Sequence, residues 1–421
     1  MQTPDYHCAL EAYESLKALG LKLNMARGKP SPEQLDLSAN FLNAVNGQNY
    51  LSADGVDTRN YGELKGLREA RELMASMLGF PVENVVIGGC SSLTVMYDVH
   101  TRLLLTSPPG GDKPWFEIRD RACLCPCPGY DRHFQMTEGL GYRLIPVDMK
   151  EDGPDMDEVE RLVAEDASIR CIWCVPKYAN PTGVIYSEEV CRRLASMKTA
   201  APDFRIFWDD AYAVHDLYPG EKAVDCPNML KLCEEAGHPD RLFAFCSTSK
   251  ITMAGGGIAA FAASQQNLEW FTRQQKLQMI CTDKVNQLRH AHFFPHFSDL
   301  KAHMQKEAEI LRPKFETVLR ILDEELAGAP GVSWTRPLGG YFIGLTLPDG
   351  CASRTVELAK EAGMNLTPAG APFPYGKDPH DAFLRIAPSY PSLEEIEAAA
   401  RLLAACARLA IAEKAKGTAA E

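Results

Sequence analysis

A chain of 421 residues is roughly two to three times the length of a typical domain, so it can bury a large core and divide into more than one lobe. Its composition, 46% hydrophobic and 24% charged residues, is that of an ordinary globular protein and excludes wholesale disorder. A net charge of −12 without a local basic patch argues against nucleic-acid or membrane partners, and no apolar stretch reaches the roughly 20 residues that span a bilayer.

The centre of the chain alternates short apolar runs, bounded by turn residues, with longer stretches of helical period. This alternation predicts parallel strands joined by crossover helices, and therefore an α/β domain. The predicted strands are Asn84–Ile87, Arg143–Val147, Cys171–Val175, Arg205–Trp208 and Leu242–Cys246.

A second, smaller α+β lobe is predicted after a long amphipathic helix at about residues 299–326, which links the two lobes. We assign residues 46–298 to the large domain, and residues 1–45 and 299–421 to the small one. Its predicted strands and helices are Val332–Trp334, Tyr341–Leu347, Ala382–Ile386, Ser353–Ala362 and Ser392–Glu413.

Fourteen cysteines fall far below the density of a disulfide scaffold, and no secretory signal is recognisable, so we expect a cytoplasmic protein. Cys123, Cys125 and Cys127 alternate like residues on one face of a strand, whereas Cys171 and Cys174 have a C-x-x-C spacing in an apolar run. Neither set has the second ligand pair of a zinc site. We predict buried thiols and no metal.

A glycine-rich segment, Gly88-Gly89-Cys90-Ser91-Ser92-Leu93-Thr94, joins a predicted strand to a helix that begins near Ser92. Free backbone amides, serine hydroxyls and the positive helix end together form a cradle for phosphate. Because the segment lacks the Gly-Lys-Ser/Thr ending of a nucleotide loop, we expect a small monophosphate.

Two further loops follow predicted strands and offer side chains to a ring-shaped ligand. Tyr130, in Pro-Cys-Pro-Gly-Tyr-Asp, could stack flat on a heteroaromatic ring or be a tyrosine at the rim of the protein. Asn180, in Ala-Asn-Pro-Thr-Gly, sits in a turn that would fix its amide in space, although the segment could also be only a turn.

An acid follows directly after an apolar strand in Ile206-Phe207-Trp208-Asp209-Asp210-Ala211-Tyr212. A buried carboxylate must be paired, and a protonated ring nitrogen would pair with Asp209. The alternative for Asp209 is a helix N-cap, and for the adjacent Asp210 we favour the N-cap.

Lys250 ends the segment Cys-Ser-Thr-Ser-Lys, just beyond a strand that ends at Cys246. Ligands gather at the carboxyl ends of strands in open α/β sheets, and a desolvated lysine is the usual nucleophile toward a carbonyl cofactor. Near the C-terminus, Arg385 lies within an apolar strand, where its planar fork could hold a substrate carboxylate or an internal acid.

These motifs, in this order and over most of the chain, resemble the class I aminotransferases of fold type I, which depend on pyridoxal 5′-phosphate (PLP). The resemblance implies that Lys250 binds PLP covalently and that Asp209 pairs with the ring nitrogen. It also implies that Tyr130 stacks on the ring, while Asn180 and Tyr212 bind its phenolic oxygen. The implied fold is a large α/β domain, with a mostly parallel seven-stranded sheet between helices, plus a smaller α+β domain.

The same resemblance assigns residues around the phosphate and the substrate. Gly28 matches a glycine near the substrate, and Arg385 matches the arginine for the α-carboxylate. Tyr61 matches the tyrosine that reaches the phosphate of a neighbouring subunit, which implies a homodimer with shared sites. The implied phosphate ligands of this chain's own site are Cys90, Ser91, Ser92 and Ser247.

More narrowly, four segments look like a divergent bacterial subgroup of aspartate aminotransferases, namely Arg27–Ser38, Pro128–Phe134, Pro176–Gly183 and Asn286–His290. One departure concerns the phosphate: most relatives carry an arginine about eight residues after the lysine, where this chain has Gly256-Gly257-Ile258. Another group must neutralise the phosphate, or the serines and the helix dipole suffice.

The resemblance implies ping-pong transfer of the amino group from L-aspartate to 2-oxoglutarate, giving oxaloacetate and L-glutamate. A dicarboxylic substrate needs a second cation, for which Arg289 and Lys284 are candidates, with Arg27 and Arg59 as alternatives. The rival functions are transamination of another amino acid, a PLP-dependent β-lyase or decarboxylase, and a PLP-sensing regulatory domain. The regulator is disfavoured because the first 50 residues have no basic DNA-binding segment.

Overall fold

A computed structural model describes residues 4–220 and 222–418. Helices surround a large central sheet and also cover a smaller sheet built by the C-terminal part of the chain. The helices are α1 (Tyr6–Lys17), α2 (Pro32–Asp36), α3 (Arg68–Leu78), α4 (Ser92–Leu105), α5 (Asp131–Gly139), α6 (Met156–Glu165), α7 (Glu188–Ser196), α8 (Met229–Glu235), α9 (Gln265–Gln278), α10 (Lys284–Phe293), α11 (Phe297–Leu326), α12 (Ala352–Glu361) and α13 (Leu393–Thr418).

The strands that were predicted begin and end within three residues of the observed ones. The apolar runs had marked their cores, and the errors lie at the ends. The strands are β1 (Leu23–Asn24), β2 (Val85–Gly89), β3 (Ala122–Cys127), β4 (Arg143–Lys150), β5 (Gly153–Pro154), β6 (Ile169–Cys174), β7 (Arg205–Asp209), β8 (Leu242–Ser247), β9 (Ala259–Ala263), β10 (Ser333–Trp334), β11 (Ile343–Thr346), β12 (Met364–Asn365) and β13 (Phe383–Ile386).

The large sheet has the order β2-β9-β8-β7-β6-β3-β4-β5. Strands β8, β7, β6, β3 and β4 run parallel to one another, whereas β9 is antiparallel to both of its neighbours. The mostly parallel sheet is therefore confirmed, but the predicted count of seven strands was one too few. The extra strand, β5, has two residues and folds back on β4 at the edge, too short to leave an apolar pattern.

Both faces of the centre of this sheet are covered, so β6, β7 and β8 are buried throughout, as expected for parallel strands between helices. Cys123, Cys125 and Cys127 pack into the same core on one face, which confirms their predicted alternation. Cys171 and Cys174 are buried on opposite faces. Within residues 4–220 and 222–418, no cluster of His, Cys, Asp and Glu is arranged to hold a metal.

The smaller sheet, β10-β11-β13, is antiparallel and packs with α11, α12 and α13 around a separate core. The N-terminal segment joins this part of the molecule, because β1 pairs with β12 and α1 packs on α13. Helix α11 connects the two cores: Leu300 and Met304 lie in the first, and Leu311 lies in the second. These contacts support the predicted small domain, whose exact bounds stay a prediction. None of the described helices is long and apolar enough to cross a membrane.

A buried acid, Glu307, lies near the middle of α11, where it accepts a hydrogen bond from Gln34 of α2. Gln34 also donates to the hydroxyl of Tyr341 at 3.0 Å, and this hydroxyl donates to the Lys250 carbonyl oxygen at 3.4 Å. Burial raises the pKa of Glu307 to about 8, an effect that the bond from Gln34 partly opposes. The N-terminal segment is thus fastened to α11 and to the lysine loop through an acid that holds its proton at neutral pH.

Glu307 should make the folded state lose stability as pH rises. The folded protein keeps the proton up to about pH 8, whereas an unfolded glutamate releases it near its ordinary pKa of 4.5, so ionisation favours unfolding within this window. We expect Glu307→Gln to reduce the drop in urea midpoint between pH 5 and pH 8. The drop from this group is at most about 1.4 kcal/mol per pH unit. The exposed Glu309→Gln on the same helix is the control, and an equal drop in both variants would contradict the assignment.

Candidate active site

The parallel strands of the large sheet end at one edge, where the loops that follow them surround a cleft. Asp209 ends β7, Lys250 follows β8, Tyr130 follows β3 and Asn180 follows β6. The cleft spans about 480 Å³ of space, part of which is open to solvent. Its walls are formed by Gly28, Ser92, Leu93, Met96, Tyr130, Val175, Asn180, Asp209, Ala211, Tyr212, Lys250 and Phe342.

Lys250 projects its amine into this cleft, with Nζ 4.7 Å from the centroid of the Tyr212 ring. Burial lowers the pKa of the lysine, and the charge of Asp209 partly opposes this shift. The Lys250 carbonyl oxygen accepts hydrogen bonds from His215 Nε2 at 3.2 Å and from the Tyr341 hydroxyl. These hydrogen bonds fix the backbone of the lysine, and the lowered pKa gives its amine a greater neutral fraction. The amine can therefore attack a carbonyl group.

The Asp209 carboxylate is 3% exposed, and its two oxygens differ in their contacts. Oδ2 accepts a hydrogen bond from His133 Nε2 at 2.9 Å, whereas Oδ1 has no partner among the described residues. The imidazole of His133 stacks on Trp173 with centroids 4.0 Å apart. A buried carboxylate oxygen without a donor is costly, so the wall of the cleft is ready for a ligand N–H.

His133 was missed from the sequence, although its position carried a signal. It lies three residues after Tyr130, at the start of α5, and residues with this spacing share one face of a helix. The two rings meet edge to face, with centroids 4.8 Å apart. The spacing therefore indicated that His133 lies beside Tyr130, but it gave no indication of the contact with Asp209.

Asp210 does not cap a helix, so this prediction was wrong. The chain continues from β7 into turns, and the Asp210 side chain points away from the cleft toward a second cavity that contains Lys177. Burial raises the pKa of Asp210 to about 7, while Lys177 acts in the opposite direction. The N-cap interpretation failed because a strand followed by Asp leaves open whether a helix comes next.

Three polar groups surround the space between Lys250 and Asp209. Tyr212 is buried, and burial raises the pKa of its hydroxyl well above the ordinary value, so it stays protonated as a donor. Asn180 is 5% exposed and Tyr130 is partly buried. Burial likewise raises the pKa of Tyr130 to about 12. Both tyrosines are therefore neutral hydrogen-bond donors at physiological pH.

The glycine-rich loop before α4 has the geometry of an anion cradle. The Ser91 side chain caps α4 by accepting from the Thr94 backbone N–H, and Ser92 begins the helix at the wall of the cleft. Ser247 ends β8 and donates to the Ser249 hydroxyl at 3.3 Å. Cys90 is exposed at the same loop. Amides at the first turn of α4 and nearby hydroxyls can thus hold a phosphate.

Gly257 brings the serine loop and the glycine-rich loop together at the position of the missing arginine. A Cβ atom there would lie 2.8 Å from the Cys90 carbonyl oxygen and 3.2 Å from the Ser249 hydroxyl, so a side chain does not fit without movement. The departure from the family pattern therefore has a packing reason. It also means that the cation for a phosphate cannot come from this position.

The substrate side of the cleft is formed by the N-terminal loop and the smaller sheet. Gly28 packs so closely on the Phe342 ring that a Cβ atom would lie 2.4 Å from the ring. Arg385 on β13 is 8% exposed, with Nη1 2.6 Å from Asp131 Oδ1 and 3.4 Å from Asn180 Oδ1. The internal salt bridge considered for this arginine is therefore present, with Asp131 as its acid.

Other predicted site residues lie outside the walls of this cleft. Tyr61 is 73% exposed, and Arg289 lies on α10 but does not line the cleft. Lys284 donates to the Asn60 and Gly62 carbonyl oxygens, so its ammonium already has structural partners. Arg59 pairs with Asp57 at 2.7 Å.

Comparison with known proteins identifies the family to which the chain belongs. Residues 1–419 match the model of the aspartate amino-transferase family. The chain belongs to the aspartate aminotransferase family. An aspartate aminotransferase of Corynebacterium glutamicum is 46% identical over 401 residues, which cover 95% of this chain and 92% of that relative. The chain is therefore a PLP-dependent transaminase, and these relatives give no support to the regulatory domain.

Solved structures give the same answer for the fold. The crystal structure of an aspartate transaminase from Corynebacterium glutamicum superposes with a TM-score of 0.95 at 45% identity, covering 97% of this chain and 96% of that one. The α-aminoadipate aminotransferase of Thermus thermophilus, solved with N-(5′-phosphopyridoxyl)-L-leucine, has a TM-score of 0.74 at 22% identity and covers 95% of both chains. This distant similarity supports fold type I alone.

The two adjacent acids give a matched test of the site. Asp209→Asn should lower kcat/KM by at least about 10²-fold, because it removes the buried charge that faces the cleft. Asp210→Asn should stay within about threefold of wild type, since this acid points away from the cleft and a carboxyl with a pKa near 7 is already partly neutral. Steady-state transaminase assays at pH 7.5 measure both. Equal losses in the two variants would show that Asp209 has no special position.

Proposed function

We propose that this enzyme transfers the amino group of L-aspartate to 2-oxoglutarate, giving oxaloacetate and L-glutamate, with PLP bound at Lys250. The proposal depends on the observation that one cleft is lined both by the Lys250 amine and by Asp209, whose Oδ1 has no partner among the described residues. A carbonyl cofactor with a protonated ring nitrogen satisfies both groups. The 46% identity to a relative named aspartate aminotransferase supports the choice of substrate.

The residues present fit the ring and the phenolic oxygen of PLP, and the start of α4 fits its phosphate. Asp209 would pair with the ring nitrogen, Tyr130 would stack on the ring, and Asn180 and Tyr212 would bind the phenolic oxygen. The phosphate would lie at the N-terminus of α4, which supplies amides and a positive helix end. Its further ligands would be Cys90, Ser91, Ser92 and Ser247. The cofactor, when bound, supplies an electron sink for the substrate carbon.

Lys250 would have a second task, because its amine would be free once the substrate amine had taken its place. Nζ would take the proton from the substrate Cα and deliver it to the carbonyl-derived carbon of the cofactor, as a general base with a lowered pKa can do near neutral pH. Arg385 would hold the α-carboxylate with its planar fork, and Gly28, packed on the Phe342 ring, would form part of the wall beside the substrate. The Asp209 charge would keep the ring nitrogen protonated throughout.

We also propose that the active enzyme is a homodimer in which Tyr61 reaches the phosphate of the partner subunit. Most of the Tyr61 side chain is exposed and makes no contact with the described residues of its own chain. Other large apolar side chains are exposed with it: Tyr97 on α4, Leu277 on α9 and Ile280 just beyond α9. Helices α4 and α9 lie side by side, bridged by Arg102 and Gln278 at 2.6 Å. An exposed apolar surface of this kind is typical of an interface.

The cation for the distal carboxylate of aspartate has three candidates. Arg289 and Arg27 remain from the sequence analysis, since Lys284 and Arg59 are engaged elsewhere. The structure adds Arg132, which directly follows Asp131 at the start of α5 and whose charge partly opposes the rise that burial causes in the pKa of the cleft tyrosine Tyr130. Its guanidinium is exposed and bonds only Gln135, at 3.4 Å, among the described residues.

The first test of the proposed function is the visible absorption of the purified enzyme. Wild type should show the yellow band of lysine-bound cofactor, which L-aspartate bleaches and 2-oxoglutarate restores. Lys250→Ala should lack this band and lose about 10²–10⁴-fold in turnover, because the attacking amine and the base are both removed. A bound cofactor that does not respond to aspartate would overturn the substrate assignment. Aspartate turnover without any cofactor band would overturn the role of PLP.

The second test separates the three candidate cations by the substrate they affect. The variant that removes the true partner, Arg132→Gln, Arg289→Gln or Arg27→Gln, should raise KM for L-aspartate by about tenfold or more and leave KM for L-alanine, which has no distal carboxylate, nearly unchanged. The other two variants serve as its controls. Equal KM changes for both amino acids in all three variants would mean that none of these arginines binds the distal carboxylate.

A further inference from the structure

The substrate-binding arginine is already bound to a carboxylate of this chain. Asp131 Oδ1 lies 2.6 Å from Arg385 Nη1, with the two side chains 17% and 8% exposed. The remaining contacts of the guanidinium are weak: Asn180 Oδ1 at 3.4 Å, Thr367 Oγ1 at 3.5 Å and the Phe342 ring at 5.1 Å. Arg385 Nε has no partner in the described part of the chain. Asp131 therefore supplies the main balancing charge.

The contact with Asp131 affects how strongly Arg385 can attract a ligand. A guanidinium that is already neutralised by a close acid offers less net attraction to an incoming carboxylate, because the two anions repel each other across a short distance. The α-carboxylate of an amino acid must then either share the fork or replace Asp131. Sharing would bring two negative charges together around one cation in a poorly hydrated cleft, which is unfavourable.

Asp131 is placed so that it can leave. It is the first residue of α5, where the positive helix end stabilises a carboxylate even without Arg385. Its side chain is also more exposed than that of its partner, so water can solvate the released acid. By contrast, Arg385 is fixed by its burial and its strand.

We propose that Asp131 is a built-in competitor of the substrate carboxylate: it balances the charge of Arg385 before the substrate binds and is displaced when the α-carboxylate binds. The inference rests on the proposed function for the role of Arg385, and it makes Asp131 a specificity-determining residue for that site. Only a ligand with a carboxylate can displace Asp131, so simple amines are disfavoured. The competition also raises the KM of the true substrates.

The test uses the PLP-loaded enzyme and succinate, a dicarboxylate that has neither an amino nor an oxo group and therefore cannot react. Asp131→Asn keeps the shape of the side chain and removes its charge. Calorimetric binding of succinate should tighten by about tenfold in this variant. The same substitution made on an Arg385→Gln background should have no such effect. Asp166→Asn, which removes the acid of a surface pair with Arg143 at 3.0 Å, is the matched control and should bind succinate like wild type.

The outcome that would contradict the inference is equally clear. Unchanged or weaker succinate binding in Asp131→Asn would overturn the inference and make Asp131 a permanent support of the arginine. Asp131→Ser, which suits a helix N-terminus, guards against a folding defect and should behave like Asp131→Asn. If wild type rejects aspartate, the proposed substrate fails on its own. The KM of wild type and of Asp131→Asn is then compared with whichever amino donor the enzyme accepts, because every such donor carries the α-carboxylate. The substitution should lower KM by a larger factor than it changes kcat.

Discussion

The buried carboxylate of Asp209 sets the requirements for the rest of the active site. A charge that is 3% exposed must be compensated, and the protein compensates one oxygen with His133. The second oxygen is left for a ligand. His133 in turn needs Trp173 beneath it and Tyr130 at its edge, so the ring-stacking tyrosine, the histidine and the acid form one packed unit. Fixing the acid thus also fixes the wall against which a flat cofactor can lie.

The parallel sheet explains why this unit faces the lysine. Strands β3, β6, β7 and β8 are neighbours or near neighbours in the sheet and run in one direction, so the residues that follow them meet at one edge. Residues about 120 positions apart in the sequence, such as Tyr130 and Lys250, therefore line the same cleft. A site of this kind needs no long-range design in the loops, because each loop only has to present one or two side chains at a strand end.

The sequence was most informative where a local pattern marks the end of a strand. Apolar runs marked the parallel strands, and the residues directly after them, including Asn180, Asp209 and Lys250, proved to line one cleft. Strand β9 was not predicted, since Ala259–Ala263 is rich in alanine, which has little preference for strands. The N-cap at Asp210 was wrong because helix caps and strand ends share the same residue types. The partner of Asp209 required a distance between α5 and β7 that no local pattern contains.

Arg385 shows why a structural and a functional interpretation of one residue need not exclude each other. The sequence offered a choice between a substrate clamp and an internal salt bridge, and the structure contains the salt bridge. A buried cation must be paired before the substrate binds, since its desolvation has to be offset in that state too. An internal acid that can be replaced by the substrate carboxylate meets this requirement and lowers the affinity for substrate. Asp209 differs in this respect: its Oδ1 has no donor among the described residues, so no side chain has to leave before a ligand N–H binds there.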